Sequence, residues 1–237
     1  MNIADLYSTR IQKTFDEDHA EIVSILKANP KRVLYLINYY KGLPLSYPAT
    51  IAAIERDTID LDVKAEQALT IEQSRSAFIR SSLFKHDVFA QALYVNVKKQ
   101  AASFVKFSYV EIMAERRNFI RLALEPNPDT VIATPLGIIE GNLCDISLSG
   151  LNISIHHSCP LTINTEASIK FMLRQIEQNP DLQVGVPARL IAVKDDYPPY
   201  SCKFSICPDK YLERQLSHYI FQRQIEIIRE IKDRICQ

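Results

Sequence analysis

Arg116-Arg117-Asn118-Phe119-Ile120-Arg121 and, downstream, Asp145-Ile146-Ser147-Leu148-Ser149-Gly150 are the two strings from which the rest of this chain is read. Three arginines crowd into one short segment of a chain whose formal charge is +0, with 28 basic and 28 acidic residues. Guanidinium is a planar fork of donors that matches phosphate oxygens bidentately and also fits the O6/N7 edge of guanine. The second string offers a carboxylate that accepts from an N–H, a hydroxyl that donates or accepts, and a glycine that lets backbone approach a ligand. Together these residue types describe a local pocket for a small, anionic, guanine-bearing ligand.

Arg117-x-x-x-Arg121 followed by Asp145-x-Ser147-x-x-Gly150, with β-type sequence after each half, resembles the two-part signature of PilZ domains, the bacterial receptors for cyclic di-GMP. Either half alone is common; their co-occurrence in this order and at this separation is what carries the resemblance. It implies that Arg117 and Arg121 clamp the guanine Hoogsteen edge and the phosphates, and stack as cations on a base face. It implies further that Asp145 accepts from a guanine N–H, that Ser147 hydrogen-bonds the ligand and that Gly150 leaves room for it. Arg116, just ahead of the motif, is a third contact placed to help hold a second, stacked ligand.

The chain has 237 residues, enough for one large or two modest domains with real cores. Its 47% hydrophobic and 24% charged content is that of a folded globular protein. The zero net charge, with no basic stripe, argues against a general nucleic-acid binder. No apolar run approaches the roughly 18–20 residues of a membrane span, and Met1 to Asp5 lacks the basic, then apolar, start of a signal peptide. Five cysteines, odd in number and without a C-x-x-C pair, read as reduced thiols in a cytoplasmic protein.

The fold expected is mainly β with helices: two β-barrel domains and a long C-terminal helix. Ile3, Leu6, Tyr7 and Ile11, then Ile22 to Leu26, fall at helical spacing. A third helix is expected over Val33 to Tyr40, stopped by Gly42 and Pro44. From Leu43 the period becomes two: Ile59, Leu61 and Val63 alternate with polar residues, and Val88 to Val97 and Phe104 to Val110 read as strands. Residues 1–110 thus form N-terminal helices plus a split-barrel-like domain, which resembles the N-terminal domain of flagellar-brake-type PilZ proteins. Residues 111–237 form the PilZ barrel and its helix, with strands at Leu122 to Glu125, Val131 to Thr134, Gly137 to Cys144, Leu151 to Ile155, Ser168 to Leu173, Val184 to Val193 and Tyr200 to Ile206. The last helix opens at Asp209 as N-cap and runs to about Cys236, with Leu212, Leu216, Ile220, Ile227, Ile231 and Ile235 along one face and a Glu230–Arg234 pair on the other. That stripe either packs on its own barrel or is shared with a second subunit, making a homodimer, or with a partner.

Other chemistry is set aside. His156 and His157 are adjacent in an alternating strand and point to opposite faces, so no metal site is expected; Cys202 and Cys207 read as packing residues. Arg75 and Arg80 lie near serines, but no glycine-rich phosphate loop accompanies them. No catalytic nucleophile–base set is visible, and no cofactor is implied. The expected function is a non-enzymatic cytoplasmic receptor for cyclic di-GMP that relays the signal to a protein partner by interdomain rearrangement. The alternatives are an interaction module that does not depend on ligand, and a transcription regulator gated by the same ligand.

Overall fold

Two closed rings of antiparallel strands organise the chain, in a computed structural model that describes residues 7–9, 15–157, 161–174 and 180–236. The chain divides into two units, one of residues 1–118 with 227–237 and one of residues 119–226. The chain is mainly β, with two barrels and three α-helices among the described residues.

In the first unit, helix α1 (Phe15–Ala28) buries Ile22, Val23 and Leu26, and opens with Asp16, Glu17 and Asp18, charges that suit the positive end of the helix dipole. The segment expected as a third helix is instead strand β2 (Leu34–Tyr40). Short runs rich in Leu, Ile and Tyr fit either period, and here pairing with a neighbour decides it. Lys41 and Gly42, both at positive φ (49° and 87°), form the tight turn to β3 (Leu43–Glu55), so Gly42 closes a hairpin rather than stopping a helix. Strand β4 (Thr58–Asp62) follows the Arg56–Asp57 turn, and helix α2 (Ala65–Ser74) was not anticipated. Strands β5 (Ser76–Arg80), β6 (Asp87–Asn96) and β7 (Ala101–Ile112) complete the ring in the order β7-β4-β3-β2-β5-β6, with β6 pairing back to β7. Of the expected first helix, Tyr7 lies in a short strand, β1 (Tyr7–Thr9), paired to the end of β7; Ile3, Leu6 and Ile11 fall outside the described residues. The core centres on Leu34, Leu36, Ile59, Phe104 and Phe107, all with no exposed surface.

The second unit is built from β8 (Leu122–Ala123), β9 (Asp129–Thr134), β10 (Gly137–Ile146), β11 (Gly150–Ile155), β12 (Glu166–Leu173), β13 (Leu182–Lys194) and β14 (Tyr200–Ile206). Six of them close a ring, β10-β11-β14-β13-β12-β9 and back to β10, while β8 adds to β10. Alternation is clear along β13, where Leu182, Val184, Val186, Ala188 and Leu190 are buried and the residues between are exposed. Helix α3 (Lys210–Ile235) follows. Its apolar stripe is divided: Leu216, Tyr219 and Ile220 belong to the second unit, Ile227 and Ile231 to the first, and all five are buried. Glu230 favours the charge of Arg234, as expected of the pair, and longer-range contacts join them. Glu230 accepts from Tyr40 and Lys41, each at 2.9 Å, and Arg234 donates to the Tyr40 hydroxyl at 3.1 Å.

Asp209 caps α3 as expected: its carboxylate accepts from the Leu212 N–H at 2.8 Å. Asp209→Ala is therefore expected to cost about 1 kcal/mol, read as a lower urea midpoint at unchanged slope.

Candidate functional site

Strand β10 reaches the site through an irregularity. Leu143 pairs with Ile153, but the register then skips Cys144, so that Asp145 pairs with Asn152 and Ile146 with Leu151. In a regular strand Asp145 would share the inward face of Leu143, and Ile146 would turn outward. The extra residue reverses this, keeping Leu143 and Ile146 in the core while Asp145 moves to the outer face. Burial raises the pKa of the Cys144 thiol in the bulge.

The turn after β10 is closed by Ser147, whose N–H and hydroxyl both donate to the Gly150 carbonyl, at 2.9 and 3.1 Å. Ser147 is 1% exposed. A Cβ at Gly150 would sit 3.0 Å from the Phe204 carbonyl oxygen, so the close approach of β14 favours glycine here. The Ile206 N–H donates to the Ser149 carbonyl at 3.0 Å and ties the turn to the same strand.

Asp145 is 8% exposed. Its Oδ2 accepts from the Asn152 amide at 3.0 Å, and Asn152 Oδ1 in turn accepts from the Ser201 hydroxyl at 2.8 Å. Its Oδ1 is buried and has no hydrogen-bond partner among the described residues. A buried carboxylate oxygen left unmatched is costly, so an N–H donor arriving there gains more than it would at a solvated acid.

Arg121 is brought to this turn by β8. Leu122 pairs with Ile146 and Ala123 with Asp145, and the Leu124 N–H donates to the Cys144 carbonyl at 2.9 Å. Leu122 and Leu124 are buried and anchor the segment. Arg121, one position earlier in the antiparallel ladder, falls opposite Ser147, half-buried. The second unit by itself therefore gathers Arg121, Asp145, Ser147 and Gly150 at one end of its barrel.

Arg116 and Arg117 belong to the first unit. They follow a 3-10 turn, Met113–Arg116, at the end of β7. Arg116 is exposed and pairs with Glu111; Arg117 is extended and half-buried, and its N–H donates to the Ala114 carbonyl at 3.3 Å. Glu115, just ahead of them, is held by Arg80, which also bonds Asp87, all at 2.7 Å. Tyr39 feels this cluster. Burial drives its phenol up to about 12, with Glu115 adding to the shift and Arg117 opposing it.

Asn152 and Ser201, which orient Asp145, were not anticipated. They carry no motif, and only strand pairing brings Ser201 to a residue so far away in sequence. Among the described residues, His156, His157 and their neighbours form no cluster suited to a metal ion. Cys202 is fully buried, as expected of a packing residue, whereas Cys207 is exposed. Among the described residues no helix is long and apolar enough to cross a membrane.

Residues 115–222 match the PilZ domain family. No curated protein sequence matches the chain significantly. Among solved structures, the chain is similar to YcgR from Escherichia coli in complex with c-di-GMP, at 18% identity over 99% of both chains and a TM-score of 0.43. It is also similar to the Bacillus subtilis inhibitor of motility MotI/DgrA, at 12% identity over 84% of this chain and 98% of that one, TM-score 0.43. The K. pneumonia MrkH–c-di-GMP complex matches at 12% identity over 92% and 97%, TM-score 0.42.

Because the nearest atom to a Cβ at Gly150 is backbone that cannot swing aside, Gly150→Ala is expected to lower unfolding free energy by about 1–3 kcal/mol. Equilibrium denaturation measures it, and wild-type stability would show that β14 gives way freely.

Proposed function

Residues 115–222 are a PilZ domain, and on that premise we propose that this chain is a receptor for cyclic di-GMP. The observation that carries the reading is the buried, unpartnered Oδ1 of Asp145, fixed by Asn152 at the end of the barrel where Arg121 arrives. A guanine offers an N–H donor for that oxygen and an O6/N7 edge for a guanidinium, so one base satisfies both. The phosphates take the remaining charge of Arg117 and Arg121, with Arg116 as a further contact. Ser147 and Gly150 contribute by holding the turn and keeping it low.

The protein is read as a relay rather than a catalyst, acting in the cytoplasm through a protein partner. The string Arg117-x-x-x-Arg121 contains the passage from the first unit to the second. A ligand that draws both arginines toward the Asp145–Gly150 turn orders that passage and shifts the balance between conformations by its differential affinity for them. The output then follows from which arrangement of the units the ligand favours.

Calorimetry tests the site. Cyclic di-GMP is expected to bind, with GTP and cyclic GMP far weaker because each engages half of the donors. Arg117→Ala and Arg121→Ala each remove charge-assisted bonds worth about 1.5–3 kcal/mol, so each is expected to weaken binding roughly ten- to hundredfold. Unchanged affinity in a folded double variant would remove the arginines from the site. Hydrogen exchange tests the relay: protection is expected to rise most over residues 112–122 at saturating ligand, and identical exchange in both states would mean that the passage is not ordered by ligand.

A further inference from the structure

The Met113–Arg116 turn, which ends in the first of the clustered arginines, lies against a second, smaller apolar cluster of the first unit. Ile37, Phe78, Val110 and Ile112 are buried there, and Ala114 packs against them. Ile37 and Phe78 adjoin Leu36 and Ile79 of the barrel core, so this cluster lies on the other face of the same strands. The turn gives it only Ala114 and has no buried residue of its own. An exposed turn with one small apolar anchor opens readily unless something else holds it.

Charge holds it. Arg80, the last residue of β5, donates from Nε and Nη2 to both carboxylate oxygens of Asp87, the first residue of β6. The same Nη2 reaches Oε2 of Glu115 in the turn at 2.7 Å. The Asp87 side chain is only 17% exposed, so the fork is fixed to the barrel before it meets the turn. Glu111, near the end of β7 and 27% exposed, pairs with Arg116. Arg117 lies close enough to Tyr39 of β2 to oppose the rise of its phenol pKa. Carboxylates of the first unit therefore engage or flank the same arginines that the receptor reading gives to the ligand. A phosphate gains Arg116 only by displacing Glu111, and near Arg117 it meets the like charge of Glu115.

We propose that Glu111 and Glu115, the latter fixed by Arg80, are built-in competitors for the ligand-binding arginines and set how tightly cyclic di-GMP is held. The inference rests on the receptor reading above. Where the clasp is closed, Arg116 and Arg117 stay with first-unit groups. Where it is open, they are available to phosphate. Apparent affinity falls with the fraction of molecules that are competent, so the clasp lowers it. Binding exchanges exposed ion pairs, which contribute little, for charge-assisted bonds to phosphate. Arg80 acts through Glu115 and is a positioning residue.

Two readouts on the full chain test this: hydrogen exchange over residues 113–117 without ligand, and calorimetry with cyclic di-GMP. Glu115→Gln leaves the Arg80–Asp87 fork in place, and Arg80→Lys keeps a charge beside Asp87 but cannot fork to both acids. Each variant is first checked for a cooperative melt. Both are expected to speed exchange of the turn and to tighten binding about two- to fivefold. The double variant gains no more than either single one, because both break one clasp. Glu111→Gln is expected to tighten binding by a similar factor and to add to the others, since it frees a different arginine. Damage to the fold does not tighten binding, so the sign separates competition from a structural role. Faster exchange with unchanged or weaker binding overturns the proposal, as does unchanged exchange in both clasp variants. Either result, with wild type binding cyclic di-GMP, leaves the receptor reading standing; a wild type that does not bind removes both.

Discussion

One skipped residue in a strand ladder governs the candidate site. The bulge at Cys144 lets Leu143 and Ile146 remain in the barrel core while Asp145, which lies between them, changes face. In a regular ladder of the same residues, the pleat would both bury Asp145 among apolar side chains and expel Ile146. The remaining features follow from it. Asn152 comes directly opposite Asp145 and can hold one carboxylate oxygen, Ser201 on the next strand can hold Asn152, and the two residues of β8 pair on the far side and set Arg121 opposite Ser147. The local geometry is thus fixed by backbone hydrogen bonds of a closed barrel, which suits a binding site better than loop-borne residues do.

Within this frame the residues of the two strings divide their labour. Ser147 and Gly150, expected from sequence as ligand contacts, also hold the turn together. The Ser147 hydroxyl donates to the Gly150 carbonyl, and a methyl group at Gly150 would press on the Phe204 carbonyl oxygen at 3.0 Å. Asp145 retains unspent polar capacity in a buried oxygen, and half-buried Arg121 stands at the same barrel end. A motif of this sort is a turn that presents an acid as much as a set of contacts.

The legibility of the sequence varied with how local its causes were. The strands of the second barrel were readable because alternation and turn residues mark them, and the Asp209 cap because its chemistry is contained in one turn of helix. In the first unit one segment was misread and another was left unread, for the same reason. Leu34 to Tyr40 carries an apolar pattern compatible with either period, and Ala65 to Ser74 is a short helix of ordinary formers between strands; in both, tertiary pairing settled what local pattern left open. At the site, Arg121 and Asp145 were legible as a pair of strings. Asn152 and Ser201, which orient Asp145, were not, because their relevance comes from register across the ladder, and register is invisible until the strands are paired.

The central claim is that the unmatched oxygen of Asp145, with an arginine beside it, selects guanine. The most direct measurement compares the affinity of the full chain for cyclic di-GMP and cyclic di-AMP under one set of conditions. The two ligands share ring, ribose and phosphates, but adenine lacks the N1–H and O6 that the carboxylate and the guanidinium would engage. Rejection arising from an unpaired buried acceptor should be large, on the order of a hundredfold or more, and that is the result expected. Equal affinity for the two would mean that the phosphates alone are recognised and that Asp145 has no part in reading the base.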